Sequence, residues 1–187
     1  MATDKPKRSR SGCAAERDVF ERGRKSSVVG RGMNSEKNLP GYKILDLSAG
    51  NRAIWFNKNH PFATYLDKRE SVKPTIVCDT RSIPDSAGSG YNLIVWDPPH
   101  MNCGPNSNMS KVYGYHTTAE ILDTIEKTAC EAYRVSTDNA LMAFKWNNHD
   151  ISLERVFKLM PQWEPLFGHL TKDGPGSQTY WTMLRKK

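Results

Sequence analysis

An aspartate, two prolines and an imidazole, Asp97-Pro98-Pro99-His100, close the apolar run Tyr91-Asn92-Leu93-Ile94-Val95-Trp96. Proline fixes φ and has no N–H, so Pro98-Pro99 cannot continue a ladder and holds a stiff loop at the strand's end. The residue before a proline is pushed away from helix, which keeps Asp97 extended with its carboxylate at the mouth of the sheet. A carboxylate, a rigid carbonyl at Pro98 and the flat ring of His100 then stand side by side. Together they suit a planar, amine-bearing group such as a nucleobase, offering acceptors for its N–H groups and a face to stack on. The plainer alternative is a proline-capped strand with His100 turned to solvent, and the residues upstream weigh against it.

Tyr42-Lys43-Ile44-Leu45-Asp46 reads as an earlier strand that ends in an acid and runs through Leu47 into the small residues Ser48-Ala49-Gly50-Asn51. Small residues after a first strand let backbone approach a ligand closely, and a following helix aims its free N–H groups into that gap. Ala63–Asp67 and Pro74–Asp79 are two further strands with terminal acids. Strand-end carboxylates therefore recur at Asp46, Asp67, Asp79 and Asp97. In an open parallel sheet the carboxyl ends of neighbouring strands share one crevice, and ligands bind there.

Over residues 40–187 the chain resembles the class I S-adenosylmethionine-dependent methyltransferases. It is most similar to members that methylate exocyclic amines and carry an Asp-Pro-Pro-aromatic or Asn-Pro-Pro-aromatic signature. Asp97, Pro98, Pro99 and His100 match it, with His in place of the usual Tyr, Phe or Trp. Asp46-Leu47-Ser48-Ala49-Gly50 matches the family's glycine-rich first loop in part, with Asn51-Arg52 where another glycine is common. The resemblance implies that Asp46, Ser48, Ala49, Gly50 and Asn51 bind the cofactor. It also implies that Asp67 binds the ribose hydroxyls and Asp79 the adenine amine. The run Ala49–Phe56 is similar to small phage- and prophage-type members of the superfamily.

Methyl transfer from a sulfonium is a displacement at carbon, so such a protein chiefly positions donor and acceptor in line. An amine conjugated to a base ring is a poor nucleophile, and a carboxylate and a carbonyl accepting its hydrogens raise electron density on nitrogen as the bond forms. Asp97 and the Pro98 carbonyl take those roles and His100 stacks on the target ring. An imidazole, with an unperturbed pKa near 6.5, is also able to act as a base, but amine methylation needs no strong one. The Gly-, Asn- and Ser-rich stretch from Met101 to His116 reads as a substrate-holding loop, with Lys111 for phosphate and Tyr113 and Tyr115 for stacking. Its alternative is an ordinary loop whose tyrosines fold back on the core. Lys145, a charge inside the apolar run Leu141–Trp146, is assigned to the acceptor side of the crevice, and Trp146 to the core or pocket wall. His60, His116, His149 and His169 are scattered and no Cys-x-x-Cys pair occurs, so no metal is assigned.

The elements that must carry these residues follow from composition and periodicity. At 187 residues the chain is one domain's worth, with 37% apolar residues. No run reaches the ~20 apolar residues of a membrane span, and Met1-Ala2-Thr3-Asp4-Lys5 leads straight into charge. The expectation is an intracellular protein without a membrane partner. Cys13, Cys78, Cys103 and Cys130 are too dispersed for a disulfide framework. The net charge of +7 is concentrated in residues 1–37, where ten Lys/Arg face five Asp/Glu. Residues 1–38 therefore read as a basic arm and linker suited to phosphate contact, and 39–187 as the catalytic domain. A short helix is expected over Ala14–Arg22. Strands and helices then alternate, which argues for an α/β fold. The expected form is a seven-stranded, mostly parallel Rossmann-like sheet with helices on both faces and an antiparallel hairpin, 164–170 with 179–185, at its edge. Helices are expected after the first strand at Arg52–Asn57, with Trp55 and Phe56 on the sheet, then at Thr117–Val135 and at Ile151–Met160.

Read together, the residues point to transfer of a methyl group from S-adenosylmethionine to an exocyclic amine of a DNA or RNA base, adenine first. The chain has no room for a separate target-reading domain. Recognition must come from the arm, the 101–116 loop, a partner subunit or homo-oligomer, or low specificity. Two rivals remain: methylation of a protein amide or small amine, and a non-catalytic binding subunit that keeps the fold.

Overall fold

The computed structural model describes residues 41–101, 116–174 and 177–187. The basic arm, the Ala14–Arg22 helix and the loop carrying Lys111, Tyr113 and Tyr115 lie outside the described residues.

Seven strands form one sheet in the order β3-β2-β1-β4-β5-β7-β6. They are β1 (Ile44–Asp46), β2 (Ala63–Asp67), β3 (Ile76–Val77), β4 (Tyr91–Trp96), β5 (Ser136–Asn147), β6 (Trp163–Gly174) and β7 (Ser177–Lys186). The first five are parallel, while β7 inserts antiparallel between β5 and β6. The closing hairpin expected from the turn residues is therefore present. Because β1 neighbours β2 on one side and β4 on the other, the strand order reverses at β1. That reversal opens a crevice beyond its carboxyl end.

Register puts Leu45 beside Ile94, Ile94 beside Met142, and Trp96 beside Phe144. Their side chains share one face of the sheet, and all are fully buried. On this face lies α1 (Thr118–Val135), whose buried Ile121, Ile125, Thr128, Ala129, Ala132 and Val135 recur at helical spacing. A capping box starts it: Thr117 Oγ1 accepts from the Glu120 N–H at 3.2 Å, and the Thr117 N–H donates to Glu120 at 2.7 Å. The shorter α2 (Leu153–Lys158), capped by Ser152, adds Val156 to the same apolar cluster. Trp146 belongs to it as well, its indole N–H donating to Ile151 O at 2.8 Å, so the core reading of that residue holds. Among the described residues no helix is long and apolar enough to cross a membrane.

One expected element is absent. Residues 52–57 form turns and bends rather than a helix. Arg52 sits in the left-handed region at φ 55°. Its guanidinium donates to Lys58 O, Asn59 Oδ1 and Lys73 O and lies over the Tyr65 ring. Trp55 turns inward to Asp46 at 2.7 Å, whereas Phe56 is fully exposed instead of facing the sheet. The polar run Asn57-Lys58-Asn59-His60 and Pro61 leave no second apolar turn to extend a helix. A single nucleated turn is not stable by itself, and side-chain bonds from Arg52 hold the loop instead.

Candidate active site

The β1 loop is tied across both neighbouring strands. The Leu47 N–H donates to Val95 O at 3.0 Å in β4, and the Ala49 N–H donates to Leu66 O at 3.0 Å in β2. Ser48 Oγ accepts the Asp97 N–H at 2.8 Å, and Asp67 accepts the Gly50 N–H at 2.9 Å. Gly50 adopts φ 47°, a conformation that glycine takes without Cβ strain. These bonds fix the loop, Asp67 and Asp97 into one rigid unit.

Around that unit opens a cavity of about 670 Å³, within the range of small-molecule sites. Ser48, Ala49, Gly50, Asn51, Asp67 and Asp79 line it, and so do Asp97, Pro98, Pro99, His100 and Lys145. The site residues expected from the sequence that fall among the described residues thus converge on one crevice, with one exception. Asp46, only 1% exposed, stands beneath the cavity. Its two oxygens accept the Ser48 N–H at 3.0 Å and the Trp55 indole N–H at 2.7 Å, so it props the loop from below.

Burial pushes the Asp46 carboxyl up to about 6, against the pull of those two donors and with added repulsion from Asp97 and Asp67. A carboxyl whose folded pKa exceeds its unfolded value favours folding at low pH. That contribution is lost as pH rises from about 4 to about 6, on the order of 3 kcal/mol in all. Asp46→Asn removes this slope whatever it does to absolute stability. Denaturation midpoints measured from pH 4.5 to 7 should therefore fall more steeply in the wild type than in the variant. Parallel curves would mean that Asp46 is ionised throughout.

The chain is similar to several solved structures, although no family model and no curated protein sequence matches it. One is TrmN from Thermus thermophilus, at 14% identity and a TM-score of 0.53, over 79% of this chain and 45% of that one. Another is the N-methyltransferase NodS from Bradyrhizobium japonicum WM9 in complex with S-adenosyl-L-homocysteine. Its identity is 10% and its TM-score 0.53, over 78% of each chain. A third is an rRNA methylase from Streptococcus thermophilus, at 9% identity and a TM-score of 0.50, over 78% of this chain and 88% of that one. The fold is that of a Rossmann-like methyltransferase. At such identities the likeness is one of architecture, and the chain spans under half the length of TrmN. Activity has to be argued from the crevice itself.

Two arginines in that crevice were not expected. Asp67 and Asp79 each begin an Asp-x-Arg sequence, and each arginine folds back on its own aspartate. Asp67 Oδ1 accepts from the Arg69 backbone N–H at 2.9 Å and from Nε at 3.0 Å. Its Oδ2 accepts from Arg69 Nη2 at 3.0 Å and from Gly50. Burial alone pushes the Asp67 carboxyl up, but the Arg69 and Gly50 bonds outweigh it and hold it below the usual range. Asp79 accepts in the same way from the Arg81 N–H at 2.9 Å and the guanidinium at 2.7 Å, which hold its carboxyl low against burial. Arg81 also reaches Asp123 on α1 at 3.1 Å. The repeated spacing, Asp67-Lys68-Arg69 and Asp79-Thr80-Arg81, is the signal that was available for these residues. At the other end of the crevice Asp97 pairs with Lys145 at 2.6 Å, and His100 Nδ1 lies 3.0 Å from Pro98 O. Both acceptors assigned to a target amine thus already hold an internal partner. Among the described residues no cluster of His, Cys, Asp and Glu is arranged to hold a metal ion.

Proposed function

We propose that this chain transfers a methyl group from S-adenosylmethionine to an exocyclic amine of a nucleic-acid base, adenine first. The observation that carries it is the fixed relation of two half-sites. Asp97, at the acceptor end, is bonded through its own N–H to Ser48 of the loop that would carry the donor. The donor half fits S-adenosylmethionine. Ala49 and Gly50 line the crevice with little or no side chain, the cavity has the volume for a nucleoside, and two strand-end carboxylates lie along it. Asp67 would take the ribose diol, on condition that Arg69 yields at least one of its bonds, and Asp79 the adenine end.

S-adenosylmethionine, when bound, supplies an electrophilic methyl whose C–S electron pair leaves with sulfur. Asp97 accepts one hydrogen of the target amine, orients its lone pair and takes the proton that nitrogen sheds. The Pro98 carbonyl, which holds His100 Nδ1 with one lone pair, accepts the other hydrogen with its second, and the His100 ring flanks the base. The hydrogen-bonded Ser48–Asp97 link ties the loop that would hold the donor to the carboxylate that would hold the acceptor, the kind of positioning an in-line displacement requires. The resemblance of the crevice sequence to amine-directed methyltransferases supports this reading over a bare scaffold, which has no use for a carboxylate at Asp97.

The test is to incubate the full chain with methyl-labelled S-adenosylmethionine and, separately, DNA, RNA and cell protein. Label in a nucleic-acid fraction, recovered as an N-methylated base, is the expected result. Label in protein alone would favour the amide rival, and label in none the non-catalytic one. The basic residues of 1–37 are further expected to supply a sequence-independent phosphate term. Deleting residues 1–30 should weaken nucleic-acid binding and make its salt dependence shallower. Identical salt slopes would remove the arm from the interface.

A further inference from the structure

Lys145 lies between Phe144 and Trp146, both fully buried, in the middle of the sheet. Strand alternation turns it to the opposite face from those two rings, toward the end of β4. There its Nζ meets Asp97 Oδ2 at 2.6 Å, with 27% and 24% of the two side chains exposed to the crevice. Among the described residues Asp97 Oδ1 accepts no hydrogen bond, and Lys145 Nζ donates only to Asp97. The pair therefore presents two unused functions to the cavity: a carboxylate oxygen that accepts, and ammonium hydrogens that donate.

We infer that Lys145 and Asp97 together form a recognition couple for an aromatic amine flanked by a ring-nitrogen acceptor, the arrangement that adenine and cytosine present. The inference rests on the function proposed above and narrows its substrate class. Asp97 Oδ1 accepts from the amine while Lys145 Nζ donates to the neighbouring ring nitrogen. Adenine offers such a nitrogen on either side of its amine, N1 or N7. A lysine-type ammonium offers no acceptor to Lys145 and brings a second cation beside it, so aliphatic amines are rejected. Donation to the ring nitrogen draws electron density away from the amine, which assigns Lys145 to recognition and leaves activation of the amine to Asp97.

The discriminating experiment uses single-stranded oligonucleotides containing one adenine, one 1-deazaadenine or one 7-deazaadenine, in which a ring nitrogen is replaced by C–H. Each is assayed with the full chain as wild type, Lys145→Met and Lys145→Arg. Two quantities are read: kcat/KM for label transfer, and oligonucleotide affinity without methyl donor. In the wild type one of the two analogues should lose roughly ten- to a hundredfold, the value of a hydrogen bond to a charged donor. Lys145→Met should lose activity on adenine and bring that ratio close to unity, and Lys145→Arg should restore part of it. If Lys145→Met is inactive, the affinity ratio reports the same coupling. An analogue penalty that is unchanged in Lys145→Met, or no penalty for either analogue in the wild type, overturns the inference alone. Failure of the wild type to methylate any of the adenine oligonucleotides overturns the proposed function as well, and this inference with it.

Discussion

Asp97→Ala is expected to lower the rate of methyl transfer by at least about a hundredfold while leaving cofactor affinity within a small factor of wild type. Removing one preorganised group aimed at charge developing in a transition state costs about 10² to 10³ in kcat. On the proposed reading the Asp97 side chain serves the acceptor end, while its backbone N–H, which the substitution keeps, is bonded to Ser48 of the β1 loop. The variant does strand the Lys145 ammonium, but that side chain is 27% exposed and can reach water. Asp97→Asn should fall between the two, because an amide oxygen still accepts a hydrogen but carries no charge to set against the ammonium. The measurements are single-turnover label transfer and calorimetric titration with S-adenosylmethionine. If affinity collapses in step with rate, Asp97 is holding the donor loop or the donor, and its role at the amine is lost.

Much of this site was legible in the sequence because its parts are punctuated locally. The ends of β1 to β4 are each marked by an apolar run meeting an acid, and parallel pairing of β2, β1 and β4 brings those ends to one edge. Helix α1 was legible for a similar reason, since its apolar spacing and the Thr117–Glu120 pair lie within a few residues of each other. What escaped depends on side chains that fold back or reach across. The loop after β1 looked helical through Trp55 and Phe56, yet Arg52 bonds to residues as distant as Lys73, and such a bond leaves no periodic trace. Asp46 carried the same signal as the other strand-end acids. Only burial distinguishes it, because Trp55 and Ser48 close over it and remove it from the cavity wall. Lys145 stood out as a charge in an apolar run, but its pairing with Asp97 needed the register of β4 against β5, where Trp96 faces Phe144.

Asp67 and Arg69 provide the second large effect, and the two substitutions should act in opposite directions. Among the described residues the Asp67 carboxylate accepts four hydrogen bonds, three of them from Arg69. A carboxylate has about four acceptor positions, so a ribose diol can bind only by displacing guanidinium hydrogens. Asp67→Ala deletes the diol's partner and also frees the Gly50 N–H from its anchor, at a residue held at φ 47°. Charge-assisted bonds are worth about 1.5–3 kcal/mol, so cofactor affinity should fall at least about tenfold. Arg69→Ala keeps the carboxylate, the Gly50 anchor and the backbone N–H at position 69, and removes the competing guanidinium, so affinity should rise. The same variant should lose stability where the ion pair operates. With the Asp67 carboxyl held low in the folded state, that contribution is present above the ordinary carboxylate range and disappears as pH falls through the depressed value. Calorimetry on both variants decides the matter. A loss of affinity in Arg69→Ala as well would show that the guanidinium itself holds the cofactor, and that Asp67 positions Arg69 rather than the ribose.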